Sequence, residues 1–281
     1  MNVHGAAVGL LSLAGVIMLA LLAPGSWVML AAAAALMVVM WGVSLPIRNA
    51  GIIDIVWGPV FLLMALVGVS QLDRTWDATT VALVAMVGAW AIRLGLHLGV
   101  RNIGKPEDFR YQLFRKQAGD AFAIRSLFTI FLLQAVLAWV VAAPIAGFLV
   151  AEPNGTLGAL QWVGISLFVF GFVFETVADW QLTRFKGSPD NKGQVLDSGL
   201  WGLSRHPNYF GEAVLWWGIY LFTVGLGGEL FIVGPVLITW MLMKVSGVTM
   251  LEKGLEKRRP AYREYVENTP TFFPRWPAAK R

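Results

Sequence analysis

Apolar stretches long enough to cross a bilayer alternate with short polar segments along almost the whole chain. About 20 mostly apolar residues suffice for one transmembrane helix. Stretches of this kind occur at 5–23, 27–45, 52–70, 79–100, 124–149, 157–180, 209–226 and 229–246. Proline and glycine clusters separate several of them, as at 24–25 and 152–155. The pattern predicts an all-α, polytopic integral membrane bundle of seven or eight transmembrane helices, in a single domain spanning 1–281.

Composition agrees with lipid as the main solvent and removes several kinds of chemistry. Of the 281 residues, 57% are hydrophobic and 14% are charged, whereas roughly 25% are charged in ordinary soluble domains. The chain has no cysteine and three histidines. Disulfides, thiolate nucleophiles and Cys-ligated metals are therefore excluded, and we expect no metal site.

Positive charge lies between the apolar stretches rather than on one soluble face. The formal net charge is +5, and all but Arg74 and Arg93 of the 22 lysines and arginines fall on one side of an alternating eight-helix path. Basic loops tend to stay in the cytosol, so we expect this side and the C-terminus to be cytoplasmic. The segment 248–281 mixes basic and aromatic residues and is predicted to form a short interfacial helix. Membrane lipids and an anionic cofactor are the expected partners, and no nucleic acid.

Ionisable residues inside predicted spans are the first candidates for a site, because charges at membrane depth usually face the bundle interior or a hydrated cavity. Asp54 begins the third span beside Trp57. It is either a helix cap or a desolvated acid that can donate a proton. In the fourth span Arg93, His97 and Arg101 recur every four residues and share one helical face. This basic stripe predicts an anionic ligand.

Acidic residues repeat the same spacing in the sixth span. Glu175 and Asp179 share a face, and Arg184 and Lys186 follow at the exit of the span. Two interpretations stay open. The acids either pair with the basic stripe in a structural ion-pair network, or they line a functional site.

The most specific string in the chain precedes the seventh span. It reads Ser-Arg-His-Pro-Asn-Tyr-Phe-Gly-Glu over 204–212. Pro207 is predicted to begin a helix, and free N–H groups at a helix start favour an anion such as a phosphate. The polar side chains gathered at this entry are Arg205, His206, Asn208, Tyr209 and Glu212. We interpret the string as functional.

A second polar string follows the fourth span, where Glu107-Asp108-x-Arg110-Tyr111 occurs. These two strings, the region of Asp179 and Arg184 and the aromatic C-terminus together resemble the steroid 5-alpha-reductase superfamily, in particular its bacterial branch of largely uncharacterised membrane proteins. The resemblance covers roughly residues 50 to 275. It implies N-terminal scaffold spans at 1–50, a reductase-like core at 51–275 with a cofactor cavity that faces the cytosol, and a place in a bacterial inner membrane.

The activity implied by the resemblance is an NADPH-dependent oxidoreductase that transfers hydride to an activated C=C bond of a lipid or steroid-like substrate. A Gly-x-Gly-x-x-Gly turn is absent from the sequence, so loops and helix ends must hold the cofactor. The resemblance puts Arg101, Asp179, Lys186, Asn208 and Glu212 at cofactor contacts. The other cofactor-binding candidates are Arg93, Asp108, Arg110, Tyr111, Glu175, Arg184, Arg205, His206 and Tyr209.

The chain departs from the superfamily at the catalytic pair. Steroid reductases hold the substrate ketone with a Glu and a Tyr on successive spans, but no tyrosine occurs in the fourth span here. Asp54 and His97 are the nearest substitutes. We therefore expect one of them to be the catalytic proton donor that stabilises a developing enolate oxygen. The resemblance extends to the reaction class and not to steroid as the substrate.

Two other functions remain open at this point. A lipid or isoprenyl methyltransferase that uses S-adenosylmethionine carries a similar Arg-His-Pro-x-Tyr string. Three basic cytosolic segments favour NADPH over it, since the dinucleotide carries phosphates and S-adenosylmethionine carries none. A non-catalytic transporter or lipid-binding protein would also use intramembrane charges, but the sequence lacks the two similar halves typical of alternating-access carriers.

Overall fold

The computed structural model describes residues 3–151, 156–244 and 260–275, and these residues contain helices and no strand. The helices are α1 (Val3–Leu22), α2 (Trp27–Ile47), α3 (Ile52–Gln71), α4 (Ala78–Asn102), α5 (Phe109–Ala118), α6 (Phe122–Ser126), α7 (Leu133–Val141), α8 (Ala143–Val150), α9 (Ala159–Gly187), α10 (Pro207–Thr223), α11 (Val233–Lys244) and α12 (Pro260–Asn268). A π-helical segment, Leu127–Leu132, joins α6 to α7. The predicted all-α membrane bundle is confirmed.

Within the described residues, six helical stretches are long and apolar enough to cross a membrane. They coincide with the first six predicted spans, although the fifth begins earlier than predicted because the helical path is continuous from Phe109 to Val141. The seventh and eighth predicted spans are the shorter helices α10, with 17 residues, and α11, with 12. Pro207 begins α10, as its place in the sequence predicted. Of the predicted interfacial segment 248–281, residues 248–259 and 276–281 lie outside the described residues.

Helices α9 and α10 form the most extensive helix pair of the bundle. Glycines at matching heights let the two backbones touch. A Cβ added to Gly171 would lie 2.5 Å from the backbone nitrogen of Leu215, and one added to Gly211 would lie 2.5 Å from that of Glu175. Small residues permit this close approach in membrane bundles. The contact sets the acidic residues of α9 directly against the start of α10.

An aromatic cluster fills the centre of the bundle beside this helix pair. Phe61 of α3, Trp90 of α4 and Trp216 of α10 are fully buried, and the two indole ring centroids are 5.2 Å apart in an edge-to-face arrangement. Phe61 packs at 4.8 Å from Trp216. Such geometry is the preferred one for aromatic pairs. The cluster holds α3, α4 and α10 together, and it lies about one helical turn from Arg93 on α4 and from Glu212 on α10.

Candidate functional site

A cluster of charged and polar side chains from α4, α9 and α10, half-buried or buried, lies at the basic end of the bundle. We call it the charge cluster; it comprises Arg93, His97, Glu175, Asp179, Asn208 and Glu212. Arg93 is at its centre, with Nη1 2.5 Å from Oε1 of Glu175. Nη2 of Arg93 donates to Oδ2 of Asp179 and also, at 3.3 Å, to the backbone carbonyl of Glu175. The open question about the two charged stripes is thus answered for Arg93, which pairs with both acids of α9.

Asp179 brings the three helices together. Its Oδ1 accepts a hydrogen bond of 3.1 Å from the side-chain amide of Asn208, at the start of α10. Its Oδ2 lies 3.6 Å from Nε2 of His97 on α4. The single carboxyl group therefore contacts His97, which is 82 positions earlier in the chain, and Asn208, which is 29 positions later.

The charge cluster contains more carboxyl groups than cations. Glu212 is 7% exposed and acts electrostatically on both Arg93 and Glu175. Three carboxyl groups, those of Glu175, Asp179 and Glu212, thus surround one guanidinium. Oε2 of Glu175 is buried and has no hydrogen-bond partner among the described atoms. Buried carboxyl groups in such excess attract a further cation or a proton.

A second polar cluster surrounds Asp54 at the start of α3. Oδ1 of Asp54 accepts a hydrogen bond of 2.8 Å from the Tyr111 hydroxyl, and Oδ2 lies 3.2 Å from Nη2 of Arg110. Asp108 caps α5 and also accepts from Nε of Arg110 at 2.9 Å. Burial opposes ionisation of Asp108, but the hydrogen bonds and charge of Arg110 outweigh it and hold the pKa of this carboxyl below its usual range. Asp54 is therefore held by two donors rather than resting at the interface as a simple cap.

A cavity of about 450 Å³ opens beside Asp54. We call it the interface cavity. Its lining consists of Ile47, Asn49, Gly51, Ile52, Asp54, Ile55, Arg101, Asn102, Ile103, Gly104, Lys105, Pro106 and Asp108. Asp54 and the basic stripe of α4 thus meet at one cavity through Arg101.

Arg101 and Lys186 carry positive charge that acts on the charge cluster. Both are exposed, and both act electrostatically on His97. Arg101 also acts on Asp54, and it makes no ion pair within the part of the chain that the structure describes. Arg184 was expected beside them, but it lies over the ring of Trp180 at 5.5 Å, on a different face of α9. Arg101 and Lys186 therefore both act on the charge cluster through His97, whereas Arg184 lies over Trp180.

Arg205 binds the C-terminal segment. Its Nη1 donates to the backbone carbonyls of Val266 and Thr269 at 2.7 and 3.2 Å, and Nη2 donates to the hydroxyl of Thr271 at 2.6 Å. The Ser204 hydroxyl donates to the carbonyl of Phe272 at 2.8 Å. These contacts fasten the loop before α10 to α12 and the residues after it. Arg205 thereby supports the entry of α10 instead of facing the charge cluster.

His206 and Tyr209 complete the entry of α10. Their rings stack in parallel with centroids 5.5 Å apart, and His206 is 5% exposed. The charges of Arg101, Arg110 and Glu212 all act on Tyr209. Tyr209 is therefore within electrostatic range of residues from both the charge cluster and the cluster around Asp54, and His206 stacks on its ring.

Most of the predicted site residues converge, and the structure adds others. Glu107 occurred in the second polar string without a role. It accepts from the backbone N–H of Ala50 at 2.8 Å and pairs with Arg115 at 2.8 Å. Lys105 and Asn49 line the interface cavity, and neither was a candidate. In the sequence, the only feature that could have pointed to these two residues is that each lies just after the end of a predicted span.

The fold and these clusters define an all-helical integral membrane protein with buried charge at one end of its bundle. The chain belongs to the family described as protein of unknown function (DUF1295), which matches residues 40–269. An uncharacterized protein of Schizosaccharomyces pombe is 26% identical over 270 residues, covering 84% of this chain and 76% of that protein. No solved structure matches the chain significantly.

Proposed function

We propose that the protein is an NADPH-dependent membrane reductase related to the steroid 5-alpha-reductase superfamily, acting on an activated C=C bond of a lipid. The observation that carries the proposal is the convergence of α4, α9 and α10 on Asp179, with the charges of Arg101 and Lys186 acting on His97 beside it. A site for a phosphorylated nucleotide needs both a polar interior and cations at its opening.

The residues present fit the cofactor at both of its ends. Asn208 and Glu212 are one helical turn apart on α10 and offer an amide and a carboxyl group, which complement a carboxamide. Arg101 and Lys186 offer the positive charge that phosphate groups require. NADPH, when bound, supplies a hydride. Asn208 and Glu212 would hold its nicotinamide end, and Arg101 and Lys186 its phosphates.

The cluster around Asp54 is the proposed proton source. Arg110 and Tyr111 each bind one oxygen of the Asp54 carboxyl group and so fix its orientation toward the interface cavity. Water in this cavity can return a proton to the carboxyl or the phenol after each turnover. His97 remains the second candidate for proton donation, because its Nε2 faces Asp179. A donor at either position stabilises negative charge that develops on the substrate oxygen.

Binding to the purified, full-length protein in an uncharged detergent tests the proposal. We expect NADPH to raise the unfolding temperature more than NADH, because only NADPH carries the 2′-phosphate, and S-adenosylmethionine to have no effect. Arg101→Gln should weaken NADPH binding by about 10-fold, the value of one charge-assisted hydrogen bond. Arg184→Gln is the matched control, since it removes the same charge from the same end of the bundle but lies over Trp180. Equal responses to all three compounds would contradict the proposal.

One observation favours a second candidate, the S-adenosylmethionine-dependent lipid methyltransferase. Three carboxyl groups and one guanidinium form the charge cluster, which can therefore accept a further cation or a proton, and S-adenosylmethionine is a sulfonium cation. The same binding experiment separates the two candidates. A thermal shift with S-adenosylmethionine that Glu212→Gln abolishes, together with none for NADPH, would replace the reductase by the methyltransferase.

A further inference from the structure

The interface cavity lies at the boundary between lipid and water. It is bounded by the end of α2, the start of α3 and the end of α4, which are also the ends of three candidate membrane spans. A volume of about 450 Å³ is within the range of small-molecule sites, about 300 to 1,000 Å³. A molecule bound here would contact the bilayer and the aqueous phase at once.

One side of the cavity is aliphatic and open to lipid. Four isoleucines line it, at positions 47, 52, 55 and 103. Ile47 is 52% exposed and Ile103 is 73% exposed, both at ends of spans. Since such side chains face acyl chains in a membrane, they form an apolar path from the bilayer into the cavity.

The other side of the cavity is polar and carries uncompensated positive charge. Asp54 and Asp108 line it, but Arg110 pairs with both of them. Arg101 and Lys105 also line it, and neither makes an ion pair among the residues the structure describes. The charge available to a ligand is therefore positive.

The loop that carries Lys105 is held in place before any ligand binds. Glu107 accepts from the backbone N–H of Ala50 at the start of α3 and pairs with Arg115 of α5. Asn49 donates to the carbonyl of Lys105 at 3.5 Å. Because this loop is already ordered, less conformational entropy is lost when a ligand binds.

We propose that the interface cavity binds a single-chain amphiphile with an anionic head group, a carboxylate or a phosphate. The head contacts Lys105, and also Arg101 when no nucleotide is bound, and the chain follows Ile103 and Ile47 into the bilayer. The assignment of this amphiphile as the substrate class rests on the proposed reductase function, because Asp54 lines the same cavity. The binding of the amphiphile does not rest on that function, and it can be measured with no nucleotide present.

Equilibrium binding of twelve-carbon probes to the full-length protein in an uncharged maltoside detergent tests the inference. Dodecanoate and dodecyl phosphate are compared with dodecanol and dodecyltrimethylammonium, so that the chain is constant and the head varies. We expect the two anionic probes to bind about 10-fold more tightly than dodecanol. Lys105→Gln should weaken the anionic probes about 3- to 10-fold and leave dodecanol unchanged.

Matched variants separate the cavity from the general surface. Lys116→Gln removes an exposed lysine of α5 that does not line the cavity. Ile103→Ser removes an aliphatic side chain from the cavity lining. Its control is Val100→Ser, which removes an 84% exposed aliphatic side chain of α4 outside the cavity. Equal binding of all four probes, or equal losses in Lys105→Gln and Lys116→Gln, would overturn the inference. So would full displacement of dodecyl phosphate by a two-chain anionic phospholipid in nanodiscs, since that points to bilayer head groups.

The failure of this inference is distinguishable from the failure of the proposed function. A protein that binds dodecyl phosphate in the cavity but no NADPH retains the amphiphile site and loses the reductase. A protein that binds NADPH but discriminates among none of the four probes loses the amphiphile site alone.

Discussion

Arg93→Gln is expected to be the most damaging single substitution in the charge cluster. The Arg93 side chain is 14% exposed, and its partners Glu175 and Asp179 are 3% and 7% exposed. Removing the guanidinium leaves both carboxyl groups, and that of Glu212 beside them, with no cation in contact. Breaking a buried ion pair from one side costs about 3–5 kcal/mol of unfolding free energy. Because Arg93 serves two carboxylates and a backbone carbonyl, we expect the upper half of that range.

Glu175→Gln should lower the unfolding free energy less than Arg93→Gln does, and this difference between the two variants is the test of the charge cluster. This substitution removes one of three carboxyl groups and leaves Arg93 paired with Asp179. The repulsion among the acids falls while one hydrogen bond is weakened, so we expect a loss of about 1–2 kcal/mol. The double variant Arg93→Gln, Glu175→Gln should lose about 1–3 kcal/mol less than the sum of the single variants.

Unfolding of the full-length protein by sodium dodecyl sulfate in mixed micelles, followed by tryptophan fluorescence, measures these differences. Arg125→Gln is the control for loss of an arginine, since Arg125 is exposed and makes no ion pair among the described residues. Its cost should stay within about 0.5 kcal/mol. If Arg93→Gln cost no more than Glu175→Gln, or if the two effects were additive, the charge cluster would not be the coupled unit described here.

Three further outcomes are expected. Gly171→Ala places a methyl group 2.5 Å from the α10 backbone and should destabilise the protein by about 1–3 kcal/mol in the same assay, whereas Gly9→Ala, with open space around it, should be neutral. Asp77 caps α4. Burial opposes ionisation of the Asp77 carboxyl group, but hydrogen bonds from the first turn of the helix outweigh burial, so the pKa of Asp77 lies below the ordinary 3.8. The stability it adds is therefore present above pH 3.8 and is lost as the pH falls through the lower folded-state pKa, so Asp77→Ala should cost about 1 kcal/mol at pH 7 and less at pH 3. Asp54→Asn should lower steady-state NADPH oxidation about 100- to 1000-fold while nucleotide affinity stays within 2-fold; the same loss in His97→Ala alone would make His97 the donor, and wild-type turnover in both would remove the proton-donor assignment.

The amino-acid sequence by itself determined the helical framework. Hydropathy summed over 20 residues is a local property, so the spans could be located without knowledge of their neighbours. Helical periodicity placed Arg93, His97 and Arg101 on one face, and Pro207 marked the start of α10 for the same local reason. The ends of the spans were less certain, as the early start of the fifth span at Phe109 shows.

Only the tertiary structure decided which polar groups meet. Periodicity could not tell whether Arg93 or Arg101 pairs with the acids of α9, because that depends on the height at which α4 crosses α9. In the structure Arg93 lies level with Glu175 and Asp179 and pairs with both, whereas Arg101, further along α4, makes no ion pair among the described residues.

The same holds for the two strings that first suggested a site. Arg205 was a cofactor-binding candidate, but it binds carbonyls more than 60 residues further along the chain, at Val266 and Thr269. Tyr111 reaches Asp54 across 57 positions. A side chain's hydrogen-bond partners depend on where distant segments pack, and no local pattern contains that information.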